Sequence, residues 1–442
     1  MLLNSHSLDG RLRIALVPIF LLSATFLLAI GQSPTAEAAT WTVDDGGSGD
    51  FTKLIDAFRV AEEGDTILLS PGSYGGVATS KSRITIEGDG DPESIHIGPL
   101  LFKESTTGNT IRGVSPEYVV IQGGSHVVDN VMTDRVHISG GGQHRILHSQ
   151  MNYIVVERAD NNVISGNHIS GDCPTGEQEE GSQIGKYTVV YEVPSYANLG
   201  GSEYCFGIMT GYAKLDEDEP GTWPSSLPQF RSDGNTISGN IIEIEQDCGR
   251  NACIAILMNN GYNNRVTGNA IIAEGSGFAG IYIGERAAVG AIVTAGNTEI
   301  AKNYIAYTTA AVTTIRATDV VVYENNFIEN DADSFGDSGI TWHKNGKGNY
   351  WEHFALDLGV NDADDDGIID RPYLVTGDDD SYTATVMDVQ GVDRYPLVDM
   401  VDGMPTPEFP AHAVAIIATA IGITIVASRK FPQRWMKHDP AG

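Results

Sequence analysis

The sequence predicts an all-β fold, a right-handed parallel β-helix with an N-terminal capping helix and a C-terminal transmembrane helix. The main evidence is the phrase Asn-x-Ile/Val-x-Gly-Asn-x-Ile, which occurs at residues 162–169, 235–242 and 264–271 with its internal spacing unchanged. Apolar residues at alternate positions are typical of a strand with one buried face. Gly-Asn favours the left-handed backbone at which one strand turns into the next. The repetition indicates stacked coils with an Ile/Val core and an Asn stack at one corner.

Looser copies of the phrase extend the predicted solenoid in both directions. They lie at residues 127–132, 146–151, 300–305 and 322–328. One elongated domain, residues 39–345, accounts for all the copies. Residues 172–233 depart from the period and are predicted to be an insertion that protrudes from one corner, where function often lies.

Composition excludes one class of partner. The chain has 442 residues, 41% of them hydrophobic, and a net charge of −31 from 27 Lys and Arg against 58 Asp and Glu. A chain of this size can bury a large core, and its charge would repel the phosphates of a nucleic acid. Solvation of the outer face of the solenoid explains most of the acidic excess.

The first 38 residues are typical of a signal peptide. Arg11 and Arg13 precede an apolar run at residues 14–30, and Ala36-Glu-Ala38 supplies the small residues of a signal-peptidase site. The mature chain is therefore expected to begin near Ala39, outside the cytoplasm. An uncleaved N-terminal anchor is the alternative, because the apolar run is long for a signal peptide.

The C-terminal end predicts a membrane span followed by a cytoplasmic tail. Residues 401–410 form a linker rich in Pro, residues 411–428 are apolar except for His412, and residues 429–442 are basic. This order places the body of the protein outside the membrane. Pro-Glu-Phe before the span resembles the archaeal PEF-CTERM sorting signal, which implies export and processing by an archaeosortase. A plain single-pass anchor is the alternative.

The N-terminal region predicts a cap for the open end of the solenoid. Residues 41–50 are typical of an edge strand and turn, and residues 51–63 carry apolar side chains at helical spacing. Asp50 is positioned to cap this helix and Gly64 to end it. A helix laid across the first coil would cover exposed strand edges. The first coil is expected to begin at residues 64–74.

Both ends of the body resemble a known family. Val43-Asp-Asp-Gly-Gly, Gly64-Asp-Thr-Ile and Pro71-Gly-Ser-Tyr are similar to the N-terminal cap of the pectin lyase-like superfamily. Gly348-Asn-Tyr-Trp and residues 364–373 add a closer resemblance, to NosD-like (CASH-domain) β-helix proteins, which covers residues 40–398. The resemblance implies a right-handed parallel β-helix, here with a C-terminal cap segment predicted at residues 346–400.

All four cysteines lie in or beside the predicted insertion, namely Cys173, Cys205, Cys248 and Cys253. An exported chain permits disulfides, so two are expected to tie the insertion to its coil. The preferred pairing joins Cys173 to Cys205 and Cys248 to Cys253, although the other connectivities stay open. A zinc site made by the four thiolates is the alternative, but the close CxxC pairs typical of such sites are absent from the sequence.

Histidines that precede the insertion raise the question of copper. His126, His144 and His148, with His137 and methionines nearby, lie within a short stretch of the predicted coils. Imidazole and thioether ligands suit copper, and the resemblance implies a link to copper-site maturation. The irregular spacing of these histidines argues against a copper site, because separate histidines on solenoid faces are common.

Charged residues give limited evidence for catalysis. The resemblance implies that a lyase of this fold would use a basic residue beside acidic calcium ligands, and a hydrolase paired carboxylates. No acidic pair recurs at coil spacing in this sequence. The nearest candidates for a carboxylate and arginine cluster are Asp129, Asp134, Arg135, Glu157, Arg158 and Asp160. Solvated charges on the outer face are the alternative explanation.

The sharpest local motif is an aspartate loop in the C-terminal segment. Its residues repeat the first part of an EF-hand loop, with Asp362, Asp364, Asp366, Gly367 and Asp370 in the required spacing. Tyr373 stands where the bidentate Glu would be, so a structural Ca2+ site is expected and a sensor site is not. Bound Ca2+ would order the segment against the last coil, where Trp351, Tyr373 and Tyr395 can cover the open end. A solvated acidic turn is the alternative.

Together these features predict an exported cell-surface protein, anchored by its C-terminal helix, with a structural or carbohydrate-binding role. Expected partners are a surface glycan or an envelope protein, with signal peptidase and an archaeosortase during export. A polysaccharide lyase or glycoside hydrolase acting on acidic glycans is the first alternative. A NosD-like copper-delivery factor is the second. Structural Ca2+ is the cofactor expected.

Overall fold

The computed structural model describes residues 38–171, 183–184, 187–188, 204–211, 231–244, 252–259, 261–273, 278–284, 295–315, 317–336, 339–357, 362–376 and 389–404. In these ranges the chain forms a parallel β-helix, in which successive coils add strands to the same parallel sheets. The predicted all-β class and solenoid are confirmed, and the right-handed sense stays a prediction that follows the usual hand of parallel connections.

Both predicted membrane-related segments lie outside the described residues. These are the signal peptide, apart from Ala38, and the span at residues 411–428 with its basic tail. No helix in the described part of the chain is long and apolar enough to cross a membrane.

Sheet I is the longest sheet and follows the chain order. Its 12 strands are Thr40–Val43, Thr66–Leu69, Thr85–Gly88, Thr110–Arg112, Val127–Asp129, Arg145–Leu147, Val163–Ser165, Thr236–Ser238, Arg265–Thr267, Glu299–Ala301, Val320–Tyr323 and Ile340–Thr341. Most of these strands are short because a corner of the coil lies directly before and after each one.

Sheet II forms a second wall of the solenoid. Its 10 strands are Val77–Thr79, Leu100–Phe102, Val119–Ile121, Arg135–Ser139, Tyr153–Glu157, Tyr204–Thr210, Ala252–Met258, Phe278–Gly284, Ala310–Ile315 and Ala332–Gly336. Its later strands are longer, so this wall widens toward the C-terminal coils.

Sheet III forms a further wall in the later coils, and a smaller parallel sheet occurs in the first coils. The 7 strands of sheet III are Gln150–Met151, His168–Ile169, Ile241–Ile244, Ala270–Ala273, Tyr304–Ala306, Asn326–Ile328 and Tyr350–Trp351. The small parallel sheet of the first coils has strands Gly72–Tyr74, Ile95–Ile97 and Ser115–Pro116. Two-stranded pairs join Ala295–Gly296 to Ala317–Thr318, Gln183–Ile184 to Tyr187–Thr188, and Tyr373–Thr376 to Val389–Asp393. The helices are Leu54–Val60, the 3-10 turn Pro92–Ser94 and Glu352–Asp357.

One inward residue from each of ten successive sheet I strands, from Thr66–Leu69 to Val320–Tyr323, forms a continuous core row. The strand register stacks Ile67, Ile86, Ile111, Val128, Ile146, Ile164, Ile237, Val266, Ile300 and Val322 in order. All of them are buried. Burying each such side chain stabilises the fold by about 1.5–3 kcal/mol, so the alternating pattern read from the sequence specifies the core.

Left-handed corners bound the sheet I strands, as the Gly-Asn phrase predicts. Gly166, Gly239 and Gly268 have φ values of 67°, 62° and 65°. At the preceding corner Asn161 and Asn263 have φ values of 57° and 61°. These are residue types that adopt this backbone at little cost, so the chain turns twice within a few residues of each strand.

Asparagine side chains stack at both corners, whereas the prediction placed a stack at one. At the corner after sheet I, which we call ladder B, each amide Nδ2 donates to the next Oδ1 at 2.9 Å, in the order Asn167, Asn240, Asn269, Asn303, Asn325 and Asn349. The stack at the corner before sheet I is called ladder A. There the backbone N–H of Asn162 donates to Oδ1 of Asn235 at 3.0 Å, and the backbone N–H of Asn235 donates to Oδ1 of Asn264 at 2.8 Å. Both asparagines of the phrase therefore satisfy buried backbone donors.

The N-terminal helix is shorter than predicted. It spans Leu54–Val60, and its N-cap residue Lys53 makes no side-chain capping bond. Asp50 was wrongly predicted to cap it. The Asp50 carboxylate instead accepts hydrogen bonds from the backbone N–H and the hydroxyl of Thr42, at 2.9 and 2.8 Å. A nearby turn donor competes successfully for a short acidic side chain.

One core strand lies inside the segment predicted to be an insertion. Tyr204–Thr210 pairs in parallel with Tyr153–Glu157 on one side and with Ala252–Met258 on the other. Residues 204–210 are therefore part of the sheet II wall. This strand was not predicted from the sequence because it belongs to sheet II, whereas the Asn phrases mark only the corners of sheet I.

Aromatic residues of the C-terminal segment close the last coil. The rings of Trp351 and Tyr373 stack with centroids 4.6 Å apart, and Phe354 packs against Tyr373 at 4.9 Å. This agrees with the expected cover by Trp351 and Tyr373. Tyr395 packs elsewhere, with its ring 5.0 Å from that of His343.

Candidate functional site

A groove with a volume of 420 Å3 lies at the corner between the small three-stranded sheet and sheet II. We call it the corner groove. Tyr74, Ile97 and Met132 contribute its apolar floor. Its polar lining groups are Ser73, His96, Ser115, Glu117, Thr133 and Asp134. Ligand pockets in proteins commonly measure about 300–1,000 Å3 and combine an apolar floor with a few polar groups, so this groove has the size and lining of a ligand site.

Strand register explains the polar row in the corner groove. Ser73 pairs with His96, and His96 pairs with Ser115, so these residues occupy one position in successive coils. Parallel strands are spaced about 4.8 Å apart. The floor beneath them is fixed, because the Tyr74 hydroxyl donates to the backbone carbonyl of Ser70 at 2.7 Å. The result is a regular line of hydrogen-bonding groups above a rigid apolar surface.

Asp134 connects the corner groove to the outward face of sheet II. One oxygen of its carboxylate lies 2.8 Å from Nη1 of Arg135, and the other accepts from Nδ2 of Asn152 at 2.8 Å. The Arg135 guanidinium stacks over the ring of Tyr118 at 4.6 Å. Asp134 and Arg135, both nominated from the sequence, are therefore held in fixed positions beside the groove.

His137 and Glu157 lie on the same outward face. Arg135 and His137 alternate with inward residues along Arg135–Ser139, which puts them on one side of sheet II. Nε2 of His137 lies 3.3 Å from Oε2 of Glu157, and only 16% and 6% of these side chains are exposed. Acidic residues are seldom buried unless they are paired, and His137 provides the partner for Glu157.

Other charged candidates from the sequence are used structurally. The Asp160 carboxylate accepts from the backbone N–H of Asp233 at 2.8 Å. Asp129 pairs with His148, with Oδ1 and Nδ1 2.9 Å apart. Arg158 lies at a corner with a φ of 50°. The contacts of Asp129 and Asp160 thus involve His148 and the backbone of Asp233.

Of the three histidines considered for copper, His126 and His144 stack with ring centroids 5.6 Å apart, whereas His148 lies at a different position and pairs with Asp129. Nδ1 of His126 accepts the backbone N–H of Asn109 at 3.1 Å, and Nδ1 of His144 accepts that of His126 at 3.1 Å. His148 lies beyond the strand Arg145–Leu147, and 69% of its side chain is exposed. His126 and His144 thus serve as rungs that extend ladder A toward the N-terminus. This geometry gives no support to a copper site.

Burial keeps both ladder histidines neutral. It lowers the pKa of His126 to about 4, with a further contribution from the neighbouring His144 ring. Burial also lowers the pKa of His144 to about 4. A neutral imidazole can keep Nδ1 as an acceptor and Nε2–H as a donor, which matches the contact of His144 Nε2 with the Gly140 carbonyl at 3.2 Å.

The aspartate loop brings several predicted Ca2+ ligands together. Oxygen atoms of Asp362, Asp364 and Asp366 all lie within 4.8 Å of one another. Two ligands of one Ca2+ ion are separated by at most about 5 Å, given Ca–O distances of about 2.4 Å. The charge of Asp366, followed by burial, raises the pKa of Asp364. Asp370 has a different use here, since its carboxylate accepts from the backbone N–H of Ala363 at 2.8 Å.

Cys253 is buried and forms a disulfide. Its strand neighbour in register is Cys205. Cys173 and Cys248 lie outside the described residues, so the predicted pairing of the four cysteines stays a prediction.

Sequence reasoning did not find the polar row of the corner groove. Ser73, His96 and Ser115 stack because the lengths of the first coils bring them into register. Their alignment depends on coil length, which no local motif specifies, so the sequence does not mark these three positions.

Comparison with protein families gives one match. Residues 229–355 match the model of a family described as "Periplasmic copper-binding protein (NosD)". The match supports the NosD-like resemblance over these coils of the β-helix. His126, His144 and His148 all precede the matched segment. No curated protein matches the chain.

Several solved structures share limited similarity with the chain. An alginate lyase from Paenibacillus sp. str. FPU-7 is 13% identical, with a TM-score of 0.33 over 69% of this chain and 99% of that one. A rhamnogalacturonan lyase is 12% identical, with a TM-score of 0.31 over 70% and 86%. PfbA, a surface adhesin of Streptococcus pneumoniae, is 12% identical, with a TM-score of 0.29 over 66% and 88%. Similarity at this level does not indicate what the chain binds.

Proposed function

We propose that the protein is exported and binds a saccharide at the cell surface through the corner groove. The observation that supports this most strongly is the row of Ser73, His96 and Ser115, which offers hydrogen-bonding groups at the spacing of successive coils. Saccharide recognition requires many polar contacts together with an apolar surface for the sugar ring. Export is supported by the signal-like N-terminus and by the match to a family described as periplasmic.

The groove favours a neutral saccharide over an acidic one. Glu117 and Asp134 place two carboxylates in its lining, and none of its described lining residues is a lysine or arginine. Carboxylates accept hydrogen bonds from sugar hydroxyls, whereas they repel the carboxylate of a uronic acid. The preferred ligand is therefore a neutral oligosaccharide of a surface glycan.

Calorimetric titration of the purified protein with maltotriose, cellotriose, mannotriose and trigalacturonate tests this proposal. At least one neutral trisaccharide should bind, and His96→Ala should weaken its binding by about 10-fold through loss of a hydrogen-bonding partner. His148→Ala is the matched control, since His148 is exposed at a different corner. Equal effects of the two substitutions, or binding of trigalacturonate alone, would overturn the proposal.

A second candidate function is cleavage of a polysaccharide, supported by Arg135, His137 and Glu157 on adjacent strands of sheet II. Glu157 is placed to orient His137 as a general base, and Arg135 could balance a substrate carboxylate. Incubation with polyuronates and neutral glycans, followed by absorbance and reducing-end assays, tests it. Product that is abolished by His137→Ala would support an enzyme. Absence of product from every glycan that binds would leave the binding role alone.

We also propose that the aspartate loop binds structural Ca2+. The clustering of Asp362, Asp364 and Asp366 supports this, because like charges so close together repel one another without a cation. At 100 times its dissociation constant, Ca2+ would add about 2.7 kcal/mol to the free energy of unfolding. Thermal unfolding with Ca2+ and with chelator measures the effect.

Paired substitutions separate this Ca2+ site from a general effect of charge. Asp364→Ala with Asp366→Ala should abolish the shift. Asp89→Ala with Glu104→Ala, which removes the same charge at exposed positions, should preserve it. A shift that survives the first pair would reject a Ca2+ site in this loop.

A further inference from the structure

A second groove lies on the outer side of sheet I near its C-terminal end. We call it the sheet I groove, and its volume is 250 Å3. The polar residues that line it are Asn263, Asn264, Arg265, Asn297, Thr298, Glu299, Asp319 and Lys344. Its volume is below the range typical of pockets for larger ligands, so it fits a single small polar group or one sugar unit of a longer chain.

Groups from consecutive coils converge on one carboxylate in this groove. Arg265 and Glu299 are register partners on neighbouring strands, with Nη2 and Oε1 3.6 Å apart. Nζ of Lys344 lies 3.4 Å from the same Oε1. The hydroxyl of Tyr323 donates to Glu299, and Lys344 lies over the Tyr323 ring at 5.1 Å. The fold has thus assembled a cationic and a phenolic donor set suited to a carboxylate.

Tyr323 and Glu299 retain their protonation states across the neutral range. Burial, the hydrogen bond to Glu299 and the charge of that residue raise the pKa of Tyr323 to about 12. Burial alone would raise the pKa of Glu299, but the hydrogen bond from Tyr323 and the charges of Arg265 and Lys344 lower it. Tyr323 therefore stays a donor while Glu299 stays an acceptor.

Both cations remain available to a ligand. The exposed fractions of the Arg265 and Lys344 side chains are 53% and 41%, against 26% for Glu299. A guanidinium presents five N–H donors and binds a carboxylate through two of them. The contact with Glu299 uses one side of Arg265 only.

We infer that the sheet I groove binds the carboxylate of a small sugar acid, as one unit of a uronate-containing saccharide. Arg265 and Lys344 would bind the carboxylate, and the amides of Asn263 and Asn297 would bind ring hydroxyls at the corner. Glu299 orients the two cations and competes with the ligand for them. This site is separate from the corner groove proposed for neutral saccharides and does not depend on it.

Glu299 provides the readout that distinguishes a binding site from an ordinary surface ion pair. Exposed ion pairs contribute little to stability, so Glu299→Gln should leave the unfolding transition nearly unchanged. In a binding site the same substitution removes a competitor for Arg265 and Lys344, so affinity for an acidic ligand should rise. An ordinary ion pair predicts no gain in affinity.

Calorimetric titration with trigalacturonate and with the neutral galactotriose, each at low and high salt, tests the inference. Arg265→Ala and Lys344→Ala should each weaken trigalacturonate binding by about 10-fold, and Glu299→Gln should strengthen it by a few fold. Lys302→Ala is the matched control, because it removes the same charge from an exposed lysine that directly follows the strand Glu299–Ala301, at the opposite end from Glu299, and contacts Glu324 at 3.9 Å. Its effect should stay below about 2-fold.

Three outcomes would overturn the inference. These are equal losses for Lys302→Ala and Arg265→Ala, weaker binding by Glu299→Gln, and galactotriose binding that Arg265→Ala weakens as much as it weakens trigalacturonate binding. Measuring His96→Ala in parallel separates the two sites. Loss of neutral binding in that variant, with unchanged trigalacturonate binding, would show that the grooves act independently.

Discussion

Removing one rung from ladder B should destabilise the fold far more than a change at an exposed asparagine. Asn303 is a rung whose side-chain oxygen and nitrogen are both fully engaged in hydrogen bonds. Its Oδ1 accepts from the backbone N–H and from Nδ2 of Asn269, at 3.0 and 2.9 Å. Its Nδ2 donates to the Val266 carbonyl at 3.0 Å and to Oδ1 of Asn325 at 2.9 Å. All of these groups are buried, so water cannot replace a lost partner.

The size of the effect follows from the groups left without partners. Asn303→Ala removes the acceptor of two N–H groups on Asn269, and each buried donor left unsatisfied costs about 1–3 kcal/mol. The expected loss is therefore about 4 kcal/mol. Asn303→Asp retains the acceptor but puts an oxygen against the Val266 carbonyl and Oδ1 of Asn325. A buried carboxylate in that position should cost at least as much.

Urea denaturation followed by circular dichroism measures these losses. Solenoids need not unfold in two states, so the first transition midpoint is the quantity to compare. Asn345→Asp is the matched control, because Asn345 is exposed, has a φ of 55° and tolerates Asp. It should change the free energy of unfolding by less than about 0.5 kcal/mol. A loss below about 1 kcal/mol for Asn303→Ala would refute the ladder as a major source of stability.

Three further predictions concern other parts of the coil. His126 and His144 have pKa values lowered to about 4, below that of an unfolded histidine. The unfolded chain therefore binds more protons than the folded chain between pH 6.5 and 4. The free energy of unfolding should fall by up to about 3 kcal/mol per ring as the pH drops through that window. Melting temperature against pH measures this, and replacing both with Asn should flatten the curve. Asp393→Asn places a side-chain N–H against either the Nε1–H of Trp351 or a backbone N–H such as that of Asn349. The free energy of unfolding should fall by about 2 kcal/mol, measured as a lower urea midpoint. Gly268→Ala should cost about 1 kcal/mol because Gly268 has a φ of 65°, whereas Gly268→Asn should cost less in the same assay.

Sequence alone predicted the coil well where local chemistry specifies it. Alternation of apolar residues in the phrase at residues 235–242 predicted a strand with one buried face, and Ile237 is fully buried there. Gly239 and Asn240 predicted a corner because glycine alone adopts this backbone freely and the amide can stack. Both features depend on residues within one coil, so they can be read from one copy of the phrase.

The grooves could not be predicted in the same way. Which polar residues stack on the outer face depends on the length of each coil, and a change of one residue in a corner shifts the register. Arg265 and Glu299 are partners only because the coil between them closes with that register. The ladder role of His126 was also hidden, since a histidine replaces an asparagine only when Nδ1 faces the backbone donor of the preceding coil.

At its C-terminal end, ladder B is hydrogen-bonded to the C-terminal cap segment. Every Nδ2 in the ladder points toward the C-terminus, so the aligned amide dipoles leave their positive end at Asn349. There Oδ2 of Asp393 accepts from the backbone N–H of Asn349 at 2.7 Å and from Nε1 of Trp351 at 3.0 Å. A negative group at the positive end of aligned dipoles is stabilised, which offsets part of the cost of burying Asp393.

The same segment also holds the aspartate loop. Just after Asp393, the carbonyl of Pro396 accepts from the backbone N–H of Ile369 at 2.8 Å, and Val398 N–H donates to the carbonyl of Gly367 at 3.1 Å. Any cation that orders the loop would therefore also fix the strand that supplies the final acceptor of the ladder. Conversely, loss of that acceptor should loosen the loop. Asp393→Asn should consequently reduce the Ca2+-dependent shift in melting temperature as well as the stability measured without Ca2+. A full Ca2+ shift in that variant would show that the loop and the ladder end are independent.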